Sequence, residues 1–204
     1  MESELEHGLA FDEIRQYSLS GKIAEPYLRI STKLEFRGLV SNHLHGCDKG
    51  AKVLLQSPTG VFTLNPQAKK HVLISAGVGF TPIISILYDA LNVGVRGQDV
   101  IFVQCSRNQE NIILKDEIST VTKDQNITYK TVLDEDHMAD HTGYLNKEIM
   151  KKWLDEGDFH PDGQTDIYFC GPKSFMSEIN KMVHALGYNT AHIHLETFGP
   201  LLAI

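Results

Sequence analysis

The sequence predicts two structural parts, a short antiparallel β-barrel segment followed by an α/β domain with a doubly wound parallel sheet. Up to about residue 66 the segments are short, alternate in polarity and are interrupted by turn residues such as Gly21 and Pro58, which is typical of antiparallel strands. Beyond that point strands alternate with amphipathic helices, which is typical of parallel strands joined by helical crossovers. We therefore assign residues 1–66 to a partial barrel and residues 67–204 to the α/β domain.

Within the first part, residues 27–32 and 52–56 have the composition of strands. Between them, residues 40–45 are predicted to form a short helical turn, with Ser41 as its N-cap. Arg15 and Tyr17 alternate along a further predicted strand, so they share one face and Ser18 lies on the other.

The second part contains five predicted strands and four predicted helices. The helix at 82–91 is typical: its apolar residues fall at helical spacing, Pro82 stands in the first turn and Gly94 follows the end. The other three helices are placed at 114–121, 146–154 and 174–186. The strands are placed at 72–75, 100–104, 127–133, 166–170 and 192–196.

Composition narrows the classes of partner. The chain has 204 residues, of which 42% are hydrophobic, and this is sufficient for one large or two small domains. A net charge of -7 without a basic block argues against nucleic acid or an anionic membrane as partners. No apolar run reaches the roughly 18 residues of a membrane span, and the N-terminus lacks an apolar signal segment.

The three cysteines, Cys47, Cys105 and Cys170, are odd in number and far apart. This spacing fits neither a disulfide framework nor a zinc site. We therefore expect a reducing, cytoplasmic compartment and no metal site.

The glycine-rich run at 75–82, SAGVGFTP, begins where a strand ends and stops where a helix begins. Gly77 and Gly79 permit backbone conformations and close approaches that a side chain would block. Pro82 favours the first helical turn, whose free amides and dipole attract an anion. This context predicts a phosphate-binding loop, although Thr81 and Pro82 replace the third glycine of the usual dinucleotide fingerprint. The alternative is a tight turn that binds nothing.

Cys170, Gly171 and Pro172 follow the strand at 166–170, so they lie on the same sheet edge as the glycine-rich run. Ligands of open parallel sheets bind outside the carboxyl ends of the strands. The two glycine-containing turns are therefore predicted to line two sides of one nicotinamide. The alternative for Cys170 is a small buried strand residue.

Two short segments near the ends of the chain suggest a flavin. An arginine beside a flat tyrosine ring, as in Arg15 and Tyr17, suits a flavin with its phosphate tail. Glu196 and Phe198 alternate before the turn at 199–200, which offers a ring for stacking and a carboxylate to steer hydride geometry or protonation. Each pair alone also fits an ordinary exposed strand. Together the four motifs predict a flavin and a nicotinamide in one hydride-transfer site.

As a set, RQYS at 15–18, SAGVGFTP at 75–82, CGP at 170–172 and ETFGP at 196–200 resemble the ferredoxin–NADP+ reductase superfamily. More narrowly, they resemble the reductase module of flavohemoglobins, and the similarity extends over nearly the whole chain from about Phe11. The resemblance implies an FAD-binding barrel followed by an NAD(P)H-binding domain. It also implies hydride transfer from NAD(P)H to FAD and single-electron transfer to an acceptor, which in flavohemoglobins is a haem that converts nitric oxide to nitrate.

The resemblance gives each matching position a role. The isoalloxazine and its phosphate would be held by Arg15, Gln16, Tyr17 and Ser18, and the FAD pyrophosphate by Val40, Ser41 and Asn42. The nicotinamide dinucleotide would be bound by Gly77, Val78, Gly79, Thr81 and Pro82, and enclosed by Cys170, Gly171 and Pro172. The catalytic positions beside the flavin ring would be Tyr17, Ser18, Glu196 and Phe198.

The choice between NADH and NADPH stays open. Ser106 and Arg107 follow the second strand, where the 2′-phosphate of NADPH would lie, and Arg107 is able to pair with it bidentately. Flavohemoglobin-like modules with a similar Arg-Asn pair resemble NADH users, which favours NADH slightly. A third alternative is that Arg107 is a solvated loop residue.

Two features depart from the family pattern. The sequence contains no globin, so a haem acceptor would come from another protein or domain. Residues 1–14 form an acidic stretch where the family has further strands, so the barrel is expected to be truncated and to hold FAD weakly. The alternatives to a reductase are a non-catalytic NAD(P)H-binding module and a fragment that needs a partner chain to hold FAD.

Overall fold

The computed structural model of the chain describes residues 13–23 and 25–198. In this part of the chain six strands form one sheet, in the order β4-β3-β2-β1-β5-β6, and every pair of neighbours is parallel. The strands are β1 (Lys70–Ala76), β2 (Val100–Ser106), β3 (Thr128–Leu133), β4 (His141–Thr142), β5 (Thr165–Cys170) and β6 (Ile193–Glu196). The helices are α1 (Leu39–Gly46), α2 (Phe80–Asn92), α3 (Lys115–Asp124), α4 (Lys147–Glu156) and α5 (Lys173–Ala185).

The central strands are apolar on both faces because helices cover both sides of the sheet. In β1, Val72 and Ile74 pack into a cluster with α4 and α5. Leu73, which lies between them, packs with α2 and α3 on the opposite face. All six residues of β5 are buried. The predicted doubly wound parallel sheet is therefore confirmed.

The order of the strands reverses between β1 and β5. From β1 the chain passes outward through β2 and β3 to β4, and then returns through α4 to β5 on the other side of β1. Ser75 and Cys170 stand opposite each other near the carboxyl ends of these two strands. A crevice at such a reversal is the usual ligand site of a doubly wound sheet.

The predicted strands and helices of the second part are present, with shifts of one to three residues at most ends. The start of α4 is explained by a cap, because the side chain of Asn146 accepts a hydrogen bond from the amide of Ile149. The two-residue strand β4 was not predicted, since two residues show no periodicity. No helix in the described ranges has both the length and the apolar character to cross a membrane.

The strands predicted before residue 66 are wrong for the described residues. Residues 15–18, 27–32 and 52–56 form no ladder, and within residues 13–23 and 25–66 the structure shows a single antiparallel bridge, between Leu19 and Ile30. The adjacent residues Leu54 and Leu55, which would face opposite sides of a strand, are 75% and 63% exposed, so neither side chain packs against a core. Strand propensity without a neighbouring strand and a face to pack against does not produce a strand.

The predicted helical turn is an eight-residue helix, α1, but Ser41 is not its N-cap. The N-cap is Gly38, and Ser41 lies within the first turn. Its hydroxyl donates to the carbonyl of Gly38 at 3.1 Å and accepts from the amide of Glu35 at 3.3 Å. Ser41 therefore stabilises the preceding loop from inside the helix.

An ion pair fastens the N-terminal segment to the α/β domain. Both terminal nitrogens of Arg29 donate to Glu117 of α3 at 2.8 Å, and Tyr88 of α2 donates to the same carboxylate. The hydrogen bond from Arg29 is the main reason that the pKa of Glu117 is lowered. The guanidinium also donates to the carbonyl of Ser20 at 3.1 Å. This network fixes the segment that contains Ser18 relative to the sheet.

Candidate functional site

The glycine-rich run forms a 3₁₀ turn, Gly77–Gly79, that leads directly into α2. Gly77 has a φ of +52°. This backbone conformation is energetically less favourable for a residue with a side chain than for glycine. The hydroxyl of Thr81 donates to the carbonyl of Val78 at 3.1 Å, and Thr81 and Pro82 are buried. The amide of Phe80, the first residue of α2, already donates to the carbonyls of Gly77 and Val78, so an anion at this end would meet the amides of the 3₁₀ turn and the positive end of the helix dipole.

The second glycine is required by a close approach of two backbones. A Cβ atom on Gly79 would lie 2.2 Å from the carbonyl oxygen of Cys170 and 2.6 Å from the amide nitrogen of Gly171. A Cβ atom on Gly171 would lie 2.6 Å from the ring of Phe175 and 3.0 Å from Ala76. The structure thus brings the two predicted loops together as adjoining walls of the crevice. Such a cradle, free of side chains, fits the backbone approach that a dinucleotide requires.

Cys170 ends β5 at the floor of this crevice and its side chain is fully buried. Burial and, to a smaller extent, the charge of Glu196 raise the pKa of its thiol, a hydrogen bond from the amide of Gly171 lowers it in part, and the resulting pKa is about 12. The thiol is therefore neutral at physiological pH and does not act as a thiolate nucleophile.

Ser18 and Glu196 meet although 178 residues separate them. The hydroxyl of Ser18 donates to the Glu196 carboxylate at 3.3 Å, and Glu196 stands opposite Cys170 in the pairing of β5 with β6. Burial raises the pKa of Glu196, and the hydrogen bond from Ser18 lowers it in part. A carboxyl group with a raised pKa beside a hydroxyl is able to hold and release a proton at this edge.

The raised pKa of Glu196 gives a prediction for stability. A carboxyl group whose pKa is higher in the folded state than in the unfolded chain stabilises the fold at low pH and loses this contribution as the pH rises. We expect Glu196→Gln to have a higher melting temperature than the wild type at pH 7.5 and a smaller advantage at pH 4. Thermal unfolding at both pH values measures this difference. Glu178→Gln, a change on the exposed face of α5, is the control and should show no such difference between the two pH values. A wild type that is more stable than Glu196→Gln at pH 7.5 would contradict the prediction.

Other predicted flavin-binding residues lie apart from these contacts. Arg15 is about half exposed, pairs with Glu13 at 2.7 Å and donates to the carbonyl of Ile14. Gln16 is exposed, whereas Tyr17 and Val40 are half-buried. Among the described residues, neither Arg15 nor any residue of α1 forms a hydrogen bond to the crevice. The side-chain amide of Asn42 instead donates to the backbone carbonyls of Glu35 and Gly38. Phe198 is 44% exposed, and Gly199 and Pro200 lie outside the described residues.

The residues considered for the 2′-phosphate have protein partners. The hydroxyl of Ser106 donates to the carbonyl of Asn111 at 3.3 Å. The guanidinium of Arg107 pairs with Glu135, which follows β3, at 3.0 Å. Sequence reasoning did not select Glu135, because it lies in a segment with several acidic residues. Its position just after a strand that neighbours β2 was the available signal.

A polar cluster centred on Asp166, which was not predicted, lies near the opposite end of the sheet. Asp166 is fully buried and accepts hydrogen bonds from His192 at 2.8 Å, from His194 at 2.7 Å and from the side-chain amide of Asn65 at 2.8 Å. An ionised carboxylate only accepts, so both imidazoles donate to it. Tyr168 stacks on His194 with ring centroids 4.4 Å apart. Within the described residues, no three His, Cys, Asp or Glu side chains are grouped to hold a metal ion.

Comparisons with known proteins show the family to which the chain belongs. Residues 73–181 match the family model of the oxidoreductase NAD-binding domain. The chain is 34% identical over 203 residues to the flavohemoprotein of Bacillus subtilis, covering 95% of this chain and 49% of the relative. It is 36% identical over 206 residues to flavohemoprotein A of Dictyostelium discoideum, covering 97% of this chain and 50% of the relative. The chain thus spans about half the length of the curated relatives it matches.

Solved structures give the same result. The flavohem-like FAD/NAD-binding domain of the nitric oxide dioxygenase from Vibrio cholerae has 32% sequence identity and a TM-score of 0.76, covering 92% of this chain and 78% of that chain. A ferredoxin NADP+ reductase from Neisseria gonorrhoeae, with bound FAD and NADP, has 20% identity and a TM-score of 0.74, covering 90% of this chain and 79% of that chain. At this identity the second match reflects the shared fold alone.

Proposed function

Since the chain belongs to the oxidoreductase NAD-binding domain family, within which it is related to flavohem-like FAD/NAD-binding domains, we propose that it is an NAD(P)H-dependent FAD oxidoreductase. It takes a hydride from NAD(P)H and passes electrons singly to an acceptor. The observation that carries this proposal is the contact of Gly79 with Cys170 and Gly171 where the strand order reverses. Two glycine walls beside the start of a helix favour a dinucleotide over a compact ligand.

On the nicotinamide side, Gly77, Val78 and Gly79 would hold the pyrophosphate by backbone amides, together with the first turn of α2 that contains Thr81 and Pro82. Cys170, Gly171 and Pro172 would form the wall behind the nicotinamide ring. The buried, neutral thiol of Cys170 adds apolar bulk and no charge, so it excludes water without attracting a cation.

On the flavin side, Ser18 and Glu196 supply the polar contacts. FAD, when bound, supplies the hydride acceptor and the capacity to release electrons one at a time. Glu196 would hold a proton beside the ring, with the Ser18 hydroxyl orienting its carboxylate. Tyr17 and Phe198 offer aromatic rings for stacking. Arg15, Gln16, Val40, Ser41 and Asn42 are proposed contacts of the FAD phosphates.

As part of this proposal, residues 1–66 form the FAD-binding part and residues 67–204 the NAD(P)H-binding part. The proposed electron acceptor is a haem protein or globin domain, because the matched relatives are flavohemoproteins about twice as long as the matching region. Conversion of nitric oxide by that haem is the activity that the name of the Vibrio cholerae protein suggests. The free thiols of Cys47, Cys105 and Cys170 suit a reducing, cytoplasmic compartment.

An anaerobic visible spectrum of the purified chain with added FAD tests the proposal. We expect flavin absorption that remains with the protein after gel filtration and that bleaches when NADH or NADPH is added. Glu178→Gln, on the exposed face of α5, serves as the control and should behave as the wild type. Nucleotide binding without retained FAD would support a non-catalytic nucleotide-binding module, and FAD retention without bleaching would exclude hydride transfer.

A further inference from the structure

In the described part of the chain, side-chain hydrogen bonds join residues 13–64 to the α/β domain at two places. One contact runs from Ser18 to Glu196 of β6, and the other runs from Arg29 to Glu117 of α3. β6 forms one edge of the sheet beyond β5, whereas α3 connects β2 and β3 on the other side of β1. The two contacts therefore lie on either side of the place where the strand order reverses.

The Arg29 contact is the firmer of the two. Its guanidinium makes two hydrogen bonds of 2.8 Å to the two oxygens of Glu117, whereas Ser18 makes one hydrogen bond of 3.3 Å to Glu196. A bidentate pair of an arginine and a carboxylate fixes orientation as well as distance. Tyr88 of α2 donates to the same carboxylate and holds it from the side of the domain. The orientation of the N-terminal segment therefore depends mainly on this pair.

Short backbone connections lead from Arg29 to Ser18. The guanidinium donates to the carbonyl of Ser20 at 3.1 Å, and the amide of Ser20 donates to the carbonyl of Arg29 at 2.8 Å. Ser20 is fully buried, and its neighbour Leu19 forms the antiparallel bridge with Ile30. Ser18 is thus two residues away from a point that the arginine holds against the domain.

We propose that Arg29 and Glu117 are positioning residues for hydride transfer, and that their pair sets the placement of residues 18–20 and with it the contact of Ser18 with Glu196. This inference rests on the proposed function. The pair acts through residues 18–20 and not through contact with a cofactor. Without it, a single long hydrogen bond joins the flavin side of the site to the nicotinamide side. A displacement of about 1 Å between reacting groups is able to slow a reaction by about a hundredfold.

The first test uses the chain without FAD and follows the Glu196 carboxyl group by carbon-13 NMR during a pH titration. Burial raises the pKa of Glu196 and the hydrogen bond from Ser18 lowers it in part, so Ser18→Ala should raise this pKa further. We expect Glu117→Ala to raise it as well, because the Ser18 contact is lost. A direct effect of charge would have the opposite sign, since removal of a negative charge lowers the pKa of another carboxyl group.

A double variant shows whether the two changes act on the same hydrogen bond. In Ser18→Ala/Glu117→Ala the pKa of Glu196 should equal that in Ser18→Ala alone, because the hydrogen bond is already absent. Arg29→Lys keeps the charge but not the two-pronged geometry, and should raise the pKa by a smaller amount. Arg96→Ala is the matched control, since it removes an arginine–carboxylate pair with Asp99 that lies wholly within the α/β domain. It should leave the pKa of Glu196 unchanged.

The second test measures the rate of flavin bleaching after the FAD-loaded chain is mixed with saturating NADH. We expect Glu117→Ala to slow this step about tenfold and to leave the dissociation constant for NADH close to that of the wild type, because the Gly77–Gly79 turn lies within the α/β domain. Arg29→Lys should retain an intermediate rate, and Arg96→Ala the rate of the wild type.

The two tests separate failure of this inference from failure of the proposed function. A Glu196 pKa that Glu117→Ala does not raise, or a bleaching rate that it does not lower, would overturn the inference and leave the proposed function intact. A wild type that retains FAD but is not bleached by NADH or NADPH would contradict the proposed function, and the role of the pair in hydride transfer with it. The titration without FAD would then still show whether the pair controls the Ser18 contact.

Discussion

Replacing Gly79 with alanine is expected to destabilise the chain by about 3 kcal/mol and to abolish nucleotide binding. The added Cβ atom would lie 2.2 Å from the carbonyl oxygen of Cys170, 2.3 Å from its carbonyl carbon and 2.6 Å from the amide of Gly171. These are backbone atoms at the end of β5, which is buried along its whole length and cannot move without disturbing the core. Urea unfolding and calorimetric titration with NADH measure the two effects.

Two other glycine substitutions separate the steric clash from backbone strain, and the loss of stability from the loss of nucleotide binding. Gly77→Ala adds a Cβ atom with nothing within 4 Å, so its cost is the φ of +52° alone, about 1 kcal/mol. Gly97→Ala places a Cβ atom 1.7 Å from the carbonyl oxygen of Gln125, before β2 and away from the crevice. It should destabilise the fold strongly and still bind nucleotide below its melting temperature. A Gly79→Ala protein with wild-type stability, or with wild-type affinity for NADH when folded, would show that the close approach is not required.

Replacing Asp166 with alanine is expected to lower the free energy of unfolding by about 3 kcal/mol at pH 7. The change leaves the donors of His192, His194 and Asn65 without their shared acceptor. The loss falls at the low end of the range for a broken buried pair, because both imidazoles are 28% exposed and are able to bond to water. Chemical denaturation followed by circular dichroism measures the difference.

The same cluster predicts how stability changes with pH. Burial alone would raise the pKa of Asp166, but the hydrogen bonds from His194, His192 and Asn65 outweigh it and hold the pKa at about 2. The stabilisation is therefore present above the ordinary pKa near 3.8 and is lost as the pH falls towards 2. The difference in unfolding free energy between wild type and Asp166→Ala should narrow from pH 7 to pH 2.5.

Asp124→Ala is a matched control for this series, because Asp124 is exposed at the end of α3. Asp166→Asn is informative as well: its amide keeps the volume but turns an NH₂ group towards one of the donors, so it should also be less stable than the wild type. A stability difference for Asp166→Ala that stays constant between pH 7 and pH 2.5 would mean that the carboxylate is not the source of the stabilisation.

The position of the cluster connects stability to the site. Asp166 and Cys170 stand at opposite ends of β5, and His194 and Glu196 lie across from this strand on β6. The hydrogen bonds to Asp166 thus help to hold a four-residue edge strand, whose last residue, Glu196, meets Ser18. Loss of Asp166 is expected to loosen this contact as well as the fold.

The sequence by itself determined the parallel sheet, its helices and the two glycine-containing loops. These features are local: β1 and β5 have apolar runs at 72–74 and 167–170, as expected for strands that are covered on both faces, and α2 repeats its apolar residues at helical spacing. The order of strands and helices then places SAGVGFTP and CGP on one sheet edge. Such patterns need no knowledge of distant residues.

Tertiary structure alone decided the features that depend on distant partners. The strands predicted at 27–32 and 52–56 did not form, because a strand needs a neighbour that its own residues do not specify. The contacts of Ser18 with Glu196, of Arg107 with Glu135 and of Asp166 with two histidines join residues 178, 28 and at least 26 positions apart. Periodicity describes which face a side chain occupies, whereas the charge or donor that it meets there is fixed when separate strands and loops pack together.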